Sequence, residues 1–498
     1  MKILLINAEA FHIKHKAAIP LGLLSIATYL KENGHAVRIF DRTVENTNIE
    51  KQLDSFTPDV TGIAAPAFKC FSDAIKISKL IKKRNIPVVW GGPITSLTPE
   101  IVLKTGVVDF VVMGEGEITF LELINAVAGK TPLREIDGIA YLENGEVRIN
   151  KDREFADLAQ LPIIDFSFVD PKKYFVENVG CKRMLHIYAS KGCVCECTYC
   201  YNPFFSKCVW RQRPSNYYLS EIKYLVETCG MDGVCFADDL LSPNNAHLTE
   251  LCNNIINSGV QFIWGGEFRA DMPTRENLQL MYDSGCRWIY FGIESGSADR
   301  QKQIKKQLNL RKVKETIAAC SEIGIVTSTS FIVSYPDETE EELKETVGYM
   351  QSLKADLLIP SFYGPIPKSE IYNDLVKSNR FTVPRTYKEW EKMKMMDLFG
   401  KNYSKVPDRE LKVVSSYFYW RNFLWKDAGD EKPSRVYIKK SFRQVWEFLK
   451  RGGPRSFLLI AMAATEFAQV VFNALFFPGI RHKYGLYASK NTAKRQSG

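Results

Sequence analysis

Within the stretch KGCVCECTYCYNPF stand four cysteines, Cys193, Cys195, Cys197 and Cys200. Thiolates this dense make a disulfide knot, a zinc site or an iron–sulfur site. A zinc site wants four ligands, commonly from two C-x2-C pairs. Cys197 and Cys200 form one such pair; the chain has no second, and the nearest other cysteines, Cys181 and Cys208, stand alone. The N-terminal apolar run Ile3 to Ile6 is too short for a secretory signal, and no small-residue cleavage site follows. The expected compartment is therefore the reducing cytoplasm, where the chain's 12 cysteines are thiols or metal ligands and not bridges. Taking Cys193, Cys197 and Cys200 gives C-x3-C-x2-C. Three thiolates on a 4Fe–4S cluster leave one iron open, unlike a four-cysteine electron-transfer site. An open iron can bind a substrate or cofactor.

The elements that must hold this loop read as two βα series. Residues 1–130 alternate near-continuous apolar runs (KILLIN, HAVRIFD, DVTGIAAP, IPVVWGG, VDFVVMG) with amphipathic helical stretches. That pattern predicts an α/β, doubly wound parallel sheet. Ligands of such sheets sit beyond the carboxyl ends of the strands, where Gly91, Gly92, Gly114 and Glu115 fall. Two phosphate motifs fail here: GEGE lacks the third glycine of a dinucleotide fingerprint, and the GKT at 129–131 has Ile124 where a phosphate loop needs glycine. Residues 131–183 read as a hairpin and linker. Residues 184–367 carry six further strand candidates separated by helix-length segments, which predicts a partial (β/α)6 barrel of the TIM type. Chemistry then gathers at the strand C-termini. That rule selects the cysteine loop, Asp238 and Asp239, Glu267 and Arg269, Glu294, Ser334 and Tyr335, and Tyr363.

C-x3-C-x2-C with the aromatic Tyr199 before its last cysteine resembles the signature of radical S-adenosylmethionine (SAM) enzymes. FADDLLSP, FRADMP, YFGIESGS and FIVSYPDETEEEL follow in the family's order. Together with PLGLLSIATYLKENGHAVRIFD, WGGP and GEGE they resemble the subfamily with an N-terminal cobalamin-binding domain, which includes methylases and the anaerobic tetrapyrrole cyclase. The resemblance covers residues 1 to about 370. It implies that Cys193, Cys197 and Cys200 ligate a 4Fe–4S cluster whose open iron holds SAM, and that Cys195 is spare. It further implies Tyr199 near the adenine, Asp238 and Asp239 at the methionyl amino group, Glu294 at the ribose and Arg269 at the carboxylate. Nothing in the sequence supplies the usual lower axial histidine to cobalt: Asp-x-His-x-x-Gly is missing, and Ile94 stands where Gly-Gly-Pro is often followed by His. His12 and His15 lie in an entry loop and read as solvated. The residues also admit structural roles, in which Asp238 and Asp239 cap the next helix, Glu294 pairs with Arg269, and Cys229, Cys235, Cys252, Cys286 and Cys320 fill the core.

The net charge of +9 is concentrated at the C-terminus, where residues 401–498 hold 19 Lys and Arg against 7 Asp and Glu. Residues 368–498 predict a helical region with basic and aromatic residues interleaved, which suits an anionic membrane face better than nucleic acid. The segment 457–477 has no Lys or Arg, and its Glu466, Gln469 and Asn473 share one helical face. Arg451, Arg455, Arg481 and Lys483 flank it, as in a helix lying in a membrane interface; an ordinary buried helix and a membrane-spanning helix are the alternatives, the last made costly by Glu466. The expected function is reductive cleavage of SAM to modify an unactivated carbon of a hydrophobic small molecule, of the lipid or tetrapyrrole class, by cobalamin-dependent C-methylation. The electron comes from an external donor such as flavodoxin or ferredoxin. The alternatives are radical rearrangement, cyclisation or oxidation without methyl transfer, and a non-enzymatic, metal-stabilised membrane-binding protein. A methylthiotransferase acting on tRNA would carry a second cysteine trio in the first domain, which holds only Cys70.

Overall fold

In β1 (Lys2–Asn7) the side chains of Ile3, Leu4, Leu5 and Ile6 are all buried, so both faces of the strand are covered. The computed structural model describes residues 1–9, 17–45, 47–393, 400–424 and 477–486. With β2 (Ala36–Asp41), β3 (Val60–Ala64), β4 (Val88–Gly91) and β5 (Phe110–Val112), β1 builds a parallel sheet in the order β2-β1-β3-β4-β5. Alternation along β1 divides the two cores. Leu5 faces the helices Leu21–Glu32 and Gly116–Val127, whereas Leu4 and Ile6 face the helix Phe71–Lys82. The hairpin β6 (Ile139–Glu143) and β7 (Glu146–Ile149) does not stand apart as a linker: β6 pairs antiparallel with β5 and extends the sheet to seven strands.

A second seven-stranded sheet follows in the order β16-β15-β14-β13-β12-β9-β8. Its six parallel members are β9 (Cys181–Ile187), β12 (Gly233–Phe236), β13 (Ile263–Phe268), β14 (Cys286–Glu294), β15 (Val326–Val333) and β16 (Leu357–Phe362). β8 (Val176–Asn178) adds antiparallel at one edge. The other edge is covered. The helix Asp408–Leu424 packs on β16, and Asn422 accepts from Leu358 N at 3.2 Å and donates to Leu358 O at 2.7 Å. That contact satisfies backbone groups which would otherwise template another strand. β10 (Ser190–Gly192) and β11 (Trp210–Gln212) form a separate two-stranded ribbon around the cysteine loop.

The described residues beyond 367 pack against the rest. The turn Tyr387–Glu391 returns to the first sheet's helix layer, where the fully buried Trp390 stacks on Phe68 with ring centroids 4.5 Å apart. Of the residues flanking 457–477, Lys483 spends its charge on Glu410 at 2.9 Å and Glu340 at 2.5 Å, so it is tied into the protein. Apart from Phe477, the segment 457–477 lies outside the described residues, as do His12, His15, Arg451 and Arg455. Among the described residues no helix is long and apolar enough to cross a membrane.

Candidate active site

The cysteine loop leaves the second sheet at a junction fixed by Asp238. Ala189 N and the hydroxyl and N–H of Ser190 all donate to this carboxyl group, with Ala189 N at 3.1 Å. Burial pushes Asp238 up to about 7 against the pull of those bonds. Its hydrogen bonds are spent on the strand-to-loop junction. Neither Asp238 nor Asp239 caps the following helix, whose N-cap is Asn244. Asp239 instead takes a hydrogen bond from the Asn202 side chain, just after the cysteine loop. Gly192 ends β10 at φ +87°, and a Cβ there would meet Val209 O at 2.1 Å, so the loop needs this glycine to begin.

Within the loop, Cys197 and Tyr199 are buried against Ile304, Ile332, Tyr335 and Tyr363, with Cys195 and Cys200 at the edge of the same cluster. Cys195 is not remote from the trio. Its sulfur is in hydrogen-bond contact with the Cys193 and Cys197 thiols, and Arg269 Nη1 lies 3.6 Å away. Those thiols and Arg269 hold Cys195 low, while Cys193 and Cys197 are driven up. Burial pushes Cys200 up to about 11. Cys197 is buried and Cys193, Cys195 and Cys200 are half-buried, with Arg269 and Lys306 as the nearby cations. Sulfurs so placed form a soft donor set of the kind that suits a metal cluster.

Around them the barrel rim sets its polar groups. Glu294 ends β14 at φ +70°, next to a register shift against β15 that turns its side chain across the rim. Its partner is not Arg269 but Lys306, which the sequence reading missed. Lys306 Nζ lies 3.2 Å from Glu294 Oε1 and 3.1 Å from Tyr199 OH. Arg269 grips Asp271 with two nitrogens at 3.1 and 3.3 Å, so its fork is already partly used. Buried atoms without a protein partner surround the loop: Glu294 Oε2, Thr198 Oγ1 and the hydroxyls of Tyr335 and Tyr363. Orphaned acceptors and hydroxyls of this kind fit a polar ligand seated beside the cysteines.

Two cavities meet here. One, of about 470 Å³, lies over the carboxyl ends of β1, β3, β4 and β5 and reaches Tyr188, Lys191, Tyr201, Asp238 and Asp239 of the second half. Gly22, Gly62, Gly91, Gly92, Gly114, Gly116 and Gly192 line it with bare backbone, which leaves room for a broad, flat group. No histidine is among its described lining residues. Glu115 borders it, with its carboxylate engaged by Arg211. The other cavity, of about 690 Å³, is the barrel interior, lined by His186, Glu267, Trp288, Tyr290, Ser328 and Ile359 among others. Asp238 and Asp239 border both.

Residues 15–124 match the B12 binding domain family, and residues 187–350 match the radical SAM superfamily. The chain belongs to the radical SAM enzymes that carry a B12-binding domain. This radical SAM enzyme is 29% identical to an uncharacterized methyltransferase of Pyrococcus horikoshii over 72% of its own chain and 79% of the relative. It is 24% identical to the anaerobic magnesium-protoporphyrin IX monomethyl ester cyclase of Rubrivivax gelatinosus, over 88% of its chain and 80% of the relative. Its fold matches the cobalamin-dependent radical SAM enzyme OxsB, solved with aqua-cobalamin and S-adenosylmethionine, at a TM-score of 0.68 and 17% identity. That match covers 97% of this chain and 79% of the other. The cofactors of this radical SAM enzyme are a 4Fe–4S cluster, SAM and cobalamin, as the resemblance implied.

Proposed function

We propose that the chain is a cobalamin-dependent C-methylase of a small, largely apolar molecule held in the barrel interior. The observation carrying this reading is the meeting of the two cavities at Asp238 and Asp239, beside the cysteine loop. The relatives' names, a methyltransferase and a tetrapyrrole cyclase, support a carbon-centred reaction on a small molecule. Cys193, Cys197 and Cys200 are the proposed cluster ligands, and the glycine-lined cavity, through Gly91, Gly92 and Gly114, the proposed corrin seat. When bound, the cluster supplies one-electron cleavage of SAM and cobalamin supplies methyl transfer.

The chain's own residues do the rest. Tyr199, buried in the loop, provides a wall for the adenine. Glu294 Oε2, free of protein partners, accepts a hydrogen bond from the ribose, and Lys306 holds that carboxylate in place. Asp239 accepts from the methionyl amino group. Arg269, already on Asp271, turns an outer N–H to the SAM carboxylate. In the interior, Trp288, Val326, Leu357 and Ile359 receive apolar substrate surface, while Glu267, pushed up to about 7 by burial and by Asp239, offers a protonated or shared hydrogen bond near neutrality. An external one-electron carrier would supply the electron for SAM cleavage, and the basic C-terminal region would be the site of a peripheral membrane contact.

A second reading, rearrangement or cyclisation without methyl transfer, is favoured by the similarity to the cyclase. Anaerobically reconstituted protein given SAM and dithionite separates the two. The methylase reading expects both 5′-deoxyadenosine and S-adenosylhomocysteine, the latter only after cobalamin loading. 5′-Deoxyadenosine alone, whatever the cobalamin content, favours the second reading. Neither product overturns both.

A further inference from the structure

The GEGE turn at 114–117 carries two carboxylates that reach across to the radical SAM half. Lys191 and Arg211 stand directly opposite each other in the β10–β11 ribbon, the ribbon from which the cysteine loop springs. Lys191 Nζ donates to Glu117 Oε1 at 2.9 Å, and both terminal nitrogens of Arg211 reach Glu115. Ser25 Oγ, on the helix Leu21–Glu32, donates to the same Glu117 oxygen at 2.6 Å. The Glu117 side chain is 5% exposed and that of Lys191 20%; Glu115 and Arg211 are at 18% and 17%. Arg211 is pinned further by the Phe155 ring, 4.4 Å from its guanidinium carbon, and by Ala156 O at 2.8 Å. Burial alone would raise Glu117, yet Lys191 and Ser25 hold it below the usual carboxylate range.

Like charges directly opposite on a two-stranded ribbon repel. Lys191 and Arg211 are tolerated because each has its own acid waiting at the start of the helix Gly116–Val127. Removing either acid leaves a half-buried cation without its carboxylate next to a second one, which loosens the ribbon from the start of the helix Gly116–Val127. The residues also border the glycine-lined cavity, so the ribbon's seat is one wall of it.

We propose that Glu115 and Glu117 are positioning residues: with Arg211 and Lys191 they form an ionic clamp that sets the distance between the corrin cavity and the cysteine loop. The positioning role rests on the methylase reading; the clamp itself does not. The two parts are tested on separate readouts. Hydrogen–deuterium exchange on the full chain without cofactors reads the clamp. Glu115→Gln and Lys191→Met each raise exchange in residues 188–213 about tenfold or more. The charge swap Glu117→Lys with Lys191→Glu brings exchange back toward the parent. Unchanged exchange in the single variants, or a swap no better than its single members, overturns the clamp.

In the reconstituted enzyme the same variants lower S-adenosylhomocysteine formation more steeply than 5′-deoxyadenosine formation, because SAM cleavage needs only the cysteine loop and rim of the radical SAM half whereas methyl transfer needs both halves in register. Parallel loss of the two products overturns the positioning role. If the parent makes no S-adenosylhomocysteine, the methylase reading and the positioning role fall together, and the exchange arm still decides the clamp.

Discussion

At the scale of single residues, the chemistry in the cysteine loop was legible because thiol spacing is nearly independent of tertiary context. Lys306 was not. It sits in IKKQLNL, where adjacent lysines read as a solvated turn, and only the fold brings it under Glu294. The glycine that admits it was equally mute: a Cβ on Gly292 would meet Glu294 Oε1 at 2.4 Å and Lys306 Nζ at 2.8 Å. The Lys306 and Glu294 side chains are 13% and 7% exposed, so breaking the pair leaves a buried charge uncompensated. Lys306→Met should cost about 3 kcal/mol in urea unfolding, and Lys306→Met with Glu294→Gln should recover most of that. A double variant as unstable as Lys306→Met alone would show that packing, and not charge, makes the contact matter. The alternative, structural reading, a Glu294–Arg269 pair, fails for a related reason. Both residues sit at strand ends, but Arg269 finds Asp271 two residues away before it can cross the rim.

Among elements, the parallel strands were legible because a strand covered on both faces must be apolar throughout. The β6–β7 hairpin was recognisable as a hairpin, but its attachment to β5 was not, because Glu143, Glu146 and Arg148 face solvent and carry no mark of a partner. Turns after strands hold strain that sequence conceals. Ser334, just beyond β15, adopts φ +63° and donates its N–H to Glu338 Oε2 at 2.7 Å. Burial raises Glu338 from 4.5 to about 8 despite the nearby Arg300. A carboxyl raised in the folded state binds its proton more tightly there than in the unfolded chain. Its contribution is therefore full below pH 4.5 and fades as pH rises to about 8. Unfolding free energies of the parent, compared with Glu338→Gln, should fall across that window by about 1.4 kcal/mol per pH unit at most. A difference that is flat with pH would mean that the carboxyl is already ionised in the fold.

For the molecule as a whole, the order of the two halves was legible from the sequence, but their mutual placement was not. Contacts such as Glu117 with Lys191, or Trp390 on Phe68, join residues far apart in the chain and leave no periodic trace. Those contacts bring the glycine-lined cavity against the barrel mouth, and the shared border at Asp238 and Asp239 gives the cysteine loop something to act upon. All of this presumes a cubane held at three corners with its fourth iron free. The most direct measurement is electron paramagnetic resonance of the anaerobically reconstituted, dithionite-reduced protein before and after SAM is added. A reduced-cluster signal that changes shape with SAM is expected in the parent and in Cys195→Ala, and should vanish in Cys197→Ala. A signal indifferent to SAM, or one lost in Cys195→Ala and kept in Cys197→Ala, would contradict it.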